Sequence, residues 1–295
     1  MSRTSKKNME AYRNKVRNHY NLVYGNIARS MFIWKGLPEG IPEEYMEKQL
    51  YEVGSVMFAE DAMVGYFLTR YGGAGQVDMY DRQTHFNVVS TSGLNGKRYS
   101  IDDVVIVKNN KNLAATSYLI KKNIDELVEI AVTKQTNQSL QRMPTVILTD
   151  DKTKQSLVSV LLAGQNGDGP VVAGLKGFSI DKIDIIENRQ EYLGAELREE
   201  ERMIIGELLT MLGINNLEIS KKERLVAAEA EVNEDEVGIN LVSFLQPREE
   251  AAEEINRRFG LNVSVELNPL LTKVAEPEGP QGLASQTDDE EGDVE

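Results

Sequence analysis

The chain has 295 residues, 41% hydrophobic and 27% charged, which is enough for a packed core in one large domain or two modest ones. It has no cysteine, which excludes thiol catalysis, disulfides and cysteine-based zinc or iron–sulfur sites. The formal net charge is −14, yet Met1–Ser30 holds seven Lys/Arg against one acidic residue, while Glu276–Glu295 holds eight acidic residues and no basic one.

The first eighteen residues read as a flexible basic tail running into a helix. From Glu10 onward Tyr12, Val16, Tyr20, Val23, Ile27 and Met31 recur at helical spacing, and the helix is expected to reach Trp34 before Gly36-Leu37-Pro38 stops it. A second helix is expected over Glu43–Glu52, with Pro42 in its first turn. The apolar stretch Phe58–Tyr71 reads as a third, ending at Gly72-Gly73. Between Gln83 and Val107, period-two spacing and β-branched residues predict short strands.

Thr116–Gln141 carries the clearest helical stripe, Ile120, Ile124, Leu127, Val128 and Ala131. Its nearly all-polar end, Thr133–Gln141, is expected to project beyond a monomer's core. A compact α/β segment follows: a strand at Thr145–Leu148, a helix over Lys154–Ala163, a turn-rich loop at Gly164–Pro170, and strands at Val171-Val172 and Ile180–Ile186. Glu187–Leu212 reads as a second long helix, charged through Arg198–Arg202 and stopped by Gly213. Ala227–Asn240 reads as a long mobile loop, Arg248–Phe259 as a helix with Glu249, Glu250, Glu253 and Glu254 outward, and the chain from Glu276 as disordered.

No pattern for nucleotide chemistry is present. Gly72-Gly73-Ala74-Gly75 lacks the lysine and the helix of a phosphate-binding loop and reads as a hinge. The two histidines, His19 and His85, are isolated, with His19 expected on the exposed side of the first helix. Glu199, Glu200 and Glu201, or Glu234, Asp235 and Glu236, are clustered carboxylates of the kind metal-dependent nucleases use. Neighbours on a helix diverge, however, so a solvated face and an acidic loop are favoured. Asn137-Gln138-Ser139 matches a glycosylation sequon without a signal peptide to support it. The basic start, with Arg3, Lys6, Lys7, Arg13, Lys15 and Arg17 interleaved with Tyr12 and Tyr20, suits nucleic-acid binding as well as it suits mere solubility.

Three stretches point further. They are GELLTMLGINN (Gly206–Asn216) leading into KKERLV and REEAAEEINRRFGLNVSV (Lys221–Val265), MFIWKGLP (Met31–Pro38), and EKQLYEVGSVMF (Glu47–Phe58). Together they resemble the upper-collar protein, the head–tail connector or portal of small short-tailed phages with protein-primed linear genomes. The resemblance runs over most of Met1–Asn268 and is weakest in the α/β segment. It implies a mainly α portal fold with a small α/β clip, in a dodecameric ring around a channel for double-stranded DNA. By position it implies a basic tail at 1–18, a wing at 19–115, stem helices at 116–143 and 187–213, and a clip at 144–186. A wing return with the channel loop would occupy 214–245, a crown 246–275 and an acidic tail 276–295.

The same resemblance implies that Glu229, Glu231, Asn233, Glu234, Asp235, Glu236 and Gly238 belong to a DNA-facing loop. It also implies that Arg3, Lys6, Lys7, Arg13, Lys15 and Arg17 hold a packaging RNA. Where a relative carries channel lysines, this chain has Glu196–Arg202, leaving Arg198 and Arg202 as its stem cations. The implied partners are copies of itself, viral DNA, packaging RNA and its ATPase, a lower-collar tail protein, scaffold and major capsid protein. The expected place is the virion vertex, with no membrane, no cofactor, no metal and no enzymatic activity. The net negative charge suits DNA that must slide without sticking. The alternative is a metal-dependent nuclease or phosphoryl-transfer enzyme using the clustered carboxylates.

Overall fold

The computed structural model describes residues 3–90, 93–142, 145–148, 184–187, 191–215 and 227–269. In chain order the elements are α1 (Arg3–Arg29), β1 (Phe32–Lys35), α2 (Glu43–Glu52), β2 (Ser55–Asp61) and β3 (Gly65–Gly73). Next come β4 (His85–Val89), β5 (Arg98–Ser100), β6 (Val104–Lys108), α3 (Thr116–Leu119), α4 (Lys121–Arg142), β7 (Thr145–Leu148) and β8 (Asp184–Glu187). The last three are α5 (Glu196–Met211), α6 (Ala227–Phe259) and β9 (Ser264–Leu267). The expected helix over Lys154–Ala163, the Gly164–Pro170 loop, the strand at Val171-Val172, the Lys221–Arg224 segment and the tail from Glu276 lie outside the described residues.

An antiparallel five-stranded sheet, in the order β5-β4-β3-β2-β6, forms one body of the fold. Strands β2 and β3 replace the expected third helix, and β2 is flanked by β3 and β6. Val56 and Phe58 face a core shared with Met46, Leu50, Val107 and Ile255, while Met57 and Ala59 face a second core with Phe86, Val88 and Tyr99. A strand buried on both faces shows an unbroken apolar run rather than alternation, and periodicity does not distinguish it from a helix. The turn after it is set by Asp61, whose Oδ1 accepts the Met63 amide at 3.0 Å. The proposed glycine hinge is a strand end: Gly72 and Gly73 pair with Asn87 and Phe86.

The helical layer is a second body, with a core built from Tyr24, Ile124, Leu127, Ile204, Leu208 and Phe244 of α1, α4, α5 and α6. The first helix stops at Arg29, before the expected Trp34, because Phe32–Lys35 pair antiparallel with Ser264–Leu267. It begins at Arg3, so most of the segment read as a flexible tail is helical. Likewise α5 begins at Glu196 rather than Glu187. It ends at Met211, and Gly213 just beyond its C-cap has the φ of +77° of a left-handed stop; a Cβ on Gly213 would lie 2.7 Å from the Leu241 backbone of α6.

The largest correction concerns the expected loop at Ala227–Asn240: these residues are the first turns of the 33-residue α6, which runs on through Pro247. Pro247 leaves the Ser243 carbonyl without its usual amide donor. The Arg248 guanidinium instead bonds the next carbonyl, that of Phe244, at 2.8 Å.

Candidate channel and nucleic-acid surfaces

The helices α4 and α5 leave the helical layer together and are joined at their far ends by the antiparallel pair β7–β8, with Val146 opposite Ile186. Their apolar faces meet in the helical core. The polar end of α4 is not simply solvated: Asn137 is buried, its Nδ2 donating to the Glu191 carbonyl at 2.8 Å and its Oδ1 accepting the Leu193 amide at 3.3 Å. The sequon asparagine is thus a staple that ties α4 to the chain entering α5.

A groove of about 1350 Å³ opens between α1, α4 and α5. Leu197, Ile204 and the exposed Met203 contribute apolar lining, and five carboxylates, among them Asp125, Glu129, Glu200 and Glu207, outnumber the three cations Arg17, Lys121 and Lys122.

Arg198 and Arg202, the cations expected on the stem, are exposed. Arg202 lies 3.8 Å from Glu199 on its own helix, and Arg198 lies one turn earlier. The three glutamates between them diverge as adjacent helical residues must. Glu199 and Glu200 face solvent, whereas Glu201 turns inward, accepting the Tyr20 hydroxyl at 2.9 Å and lying 3.3 Å from Lys134 Nζ. Burial, reinforced by the hydrogen bond to Glu201, pushes the Tyr20 phenol well above its ordinary range. Among the described residues no group of three or more His, Asp or Glu is placed to hold a metal ion. His19 is exposed, as expected, and His85 contacts the neighbouring Thr84 hydroxyl at 3.1 Å.

On α6, the residues read as a DNA-facing loop form helical turns instead. Asp235 and Glu236 are exposed, Val237 is buried and Gly238 is intermediate, while Glu229, Glu231, Asn233 and Glu234 fall on the same helix. On α1, the cations divide into two sets. Lys7 and Lys15 are exposed, whereas Arg13 and Arg17 reach across to α4, to Glu129 at 2.7 Å and Asp125 at 3.0 Å.

The polar joint between the two bodies is not legible in the sequence. Arg248 of α6 bonds Glu47 of α2 bidentately at 3.0 and 2.9 Å, and both side chains are 3% exposed. The Trp34 indole donates to Glu47 at 2.8 Å. Asn109 accepts from Arg248 through its Oδ1 at 3.1 Å and its carbonyl at 3.2 Å, and its Nδ2 donates to Thr116 at 3.0 Å. Phe32 stacks against the guanidinium at 4.2 Å. Nothing in the spacing of residues 201 positions apart signals such a pair.

A helical layer, a five-stranded sheet and two long helices capped by a small β pair coincide with a match to the family described as Phage Connector (GP10), over residues 3–271. The chain belongs to the phage connector family. Its role is that of a portal, the head–tail connector of a virion, and connectors of this family are generally non-enzymatic. Among solved structures, it is similar to a chain of the portal and tail of native bacteriophage P68, at 20% identity over 91% of each chain with a TM-score of 0.50. It is also similar to an HK97 family phage portal protein from Corynebacterium diphtheriae, at 13% identity over 90% of this chain and 94% of that one, with a TM-score of 0.47. No helix among the described residues is long and apolar enough to cross a membrane.

Proposed function

We propose that copies of this connector close into a ring, a dodecamer, whose central channel passes double-stranded DNA during packaging, retention and ejection. The observation that carries this is the helix–β pair–helix unit of α4, β7–β8 and α5 within a chain that matches the connector family almost throughout. A head-to-tail contact between identical subunits closes when its rotation permits, and the exposed Tyr118 and Met203 beside the α4–α5 groove are apolar surface of the kind such contacts cover.

In this proposal α4 and α5 form the stem and the β7–β8 segment is the clip that meets the packaging ATPase and the lower-collar tail protein. The sheet belongs to the wing and the C-terminal part of α6 to the crown, inside the head beside scaffold and major capsid protein. The channel surface takes Arg198 and Arg202 from α5, and Glu229, Glu231, Asn233, Glu234, Asp235, Glu236 and Gly238 from the first turns of α6. An acidic lining lets DNA slide, since repulsion from all sides leaves no site at which to stick. Arg3, Lys6, Lys7, Arg13, Lys15 and Arg17 of α1 hold a packaging RNA through its phosphates. The connector hydrolyses nothing; a separate ATPase drives DNA movement.

The test is the native mass of the purified chain, with negative-stain images of the same sample. A ring of about twelve copies with a central hole is expected. A stable monomer at high protein concentration would overturn the proposal.

A further inference from the structure

The six α1 cations assigned above to a phosphate chain are not equivalent in the fold. Arg13 and Arg17 stand one turn apart, and so do Asp125 and Glu129, so two antiparallel helices face each other through a two-rung ladder. Arg13 meets Glu129 at 2.7 Å and Arg17 meets Asp125 at 3.0 Å. The side chains are only half withdrawn from water, at 43% and 58% exposed in the first pair and 39% and 43% in the second. The first pair is a single contact: the Arg13 Nε is enclosed and bonds nothing.

Packing does little to hold this part of the helix. The apolar anchors of α1 are Tyr20, Tyr24, Ile27 and Ala28, all in its second half. Between Lys7 and His19 no described side chain belongs to a hydrophobic cluster. The front half of α1 is therefore moored to α4 chiefly by two exposed ion pairs, which are weak and screened by salt.

We infer that this ladder is an exchangeable latch. A phosphate chain engaging α1 takes Arg13 and Arg17 from Glu129 and Asp125, so docking of α1 on α4 and binding of a polyanion exclude one another. The inference rests on the proposal that α1 binds nucleic acid and adds its regulation. The bare helix is held along the stem until a polyanion draws its front half away, with Tyr20 as the fixed end of the swing. Guanidinium groups bind phosphate at least as well as carboxylate, so the exchange keeps both arginines paired.

The experiment uses the full-length protein and a single-stranded uridine homopolymer as the probe. Asp125→Asn with Glu129→Gln removes the competing carboxylates. Glu200→Gln with Glu207→Gln removes the same charge from the same groove without touching α1. Binding is followed by fluorescence anisotropy, and spin labels on Ala11→Cys and Gln135→Cys, in a chain with no native cysteine, report the α1–α4 distance.

The expected result is about tenfold tighter binding for the first pair of variants and no more than about twofold for the second, with RNA lengthening the label distance. Equal gains in both pairs, or a distance unchanged with RNA bound, would overturn the latch while leaving RNA binding by α1 intact. Absence of binding in every variant would remove the nucleic-acid role of α1, and the latch with it.

Discussion

Two arginine–carboxylate systems of this connector differ sharply in solvation. Arg248–Glu47 lies at the seam between the sheet body and the helical layer, 3% exposed on each side, with the remaining donors and acceptors of the pair taken up by Trp34, Asn109 and the Phe244 carbonyl. Arg13–Glu129 and Arg17–Asp125 are half-exposed, at 39–58%. The same chemistry thus does two different things. A buried, fully bonded pair fixes one geometry, because leaving it means burying an unpaired charge. An exposed pair has water and salt as ready substitutes, so it can be exchanged.

The contrast breaks first at Arg248. Arg248→Ala strands the Glu47 carboxylate in the core and is expected to destabilise the fold by about 3–5 kcal/mol in denaturant titration. Glu47→Leu combined with Arg248→Met should recover most of that loss. If the double variant is as damaged as the single one, the network stabilises through something other than charge pairing.

Asp61 sharpens the comparison through pH. Its carboxylate is enclosed and receives Lys97, the Met63 amide and the Tyr99 hydroxyl at 2.8 Å. The Lys97 hydrogen bond is the main reason its folded pKa falls to about 2 from an ordinary 3.8. Since the folded value is the lower one, its stabilisation is complete above 3.8 and is lost as pH falls toward 2. Asp61→Asn should remove the part of the acid destabilisation that develops in that window, read as a flatter melting temperature against pH.

The smallest effect is expected at the latch. Asp125→Asn with Glu129→Gln should cost no more than about 1 kcal/mol per pair at low salt, and the difference from the parent protein should vanish in high salt.

Much of this architecture was legible in residue order. The stripes over Thr116–Gln141 and around Leu208 placed the two long helices, because a helix that buries one face must repeat its apolar residues at that face's period. Gly213 as a stop and the short strands after Gln83 followed from equally local chemistry. The failures share one cause, which is burial on more than one side or pairing with a remote segment. The Phe58–Tyr71 run is a hairpin whose first strand fills two cores, and Phe32–Lys35 is a strand only because Ser264–Leu267 lies beside it. Pro247 reads locally as a helix boundary, yet α6 runs through it because Arg248 and the cores on either side hold both halves in line.

For the proposed nucleic-acid surface, the sequence placed the basic residues on one segment and no more. It could not separate Lys7 and Lys15, which face water, from Arg13 and Arg17, whose partners lie more than a hundred positions away. What the sequence determined by itself was the connector family, the two long helices and the concentration of positive charge at the start of an acidic chain. The helices and the charge depend on composition and on spacings of two to four residues; the family rests on the resemblance of the stretches at Met31–Pro38, Glu47–Phe58 and Gly206–Val265. Which strands close the sheet, which arginines are occupied and where the two bodies are joined were decided only in the tertiary structure, because ion pairs and strand pairings between distant segments leave no periodic trace in the chain.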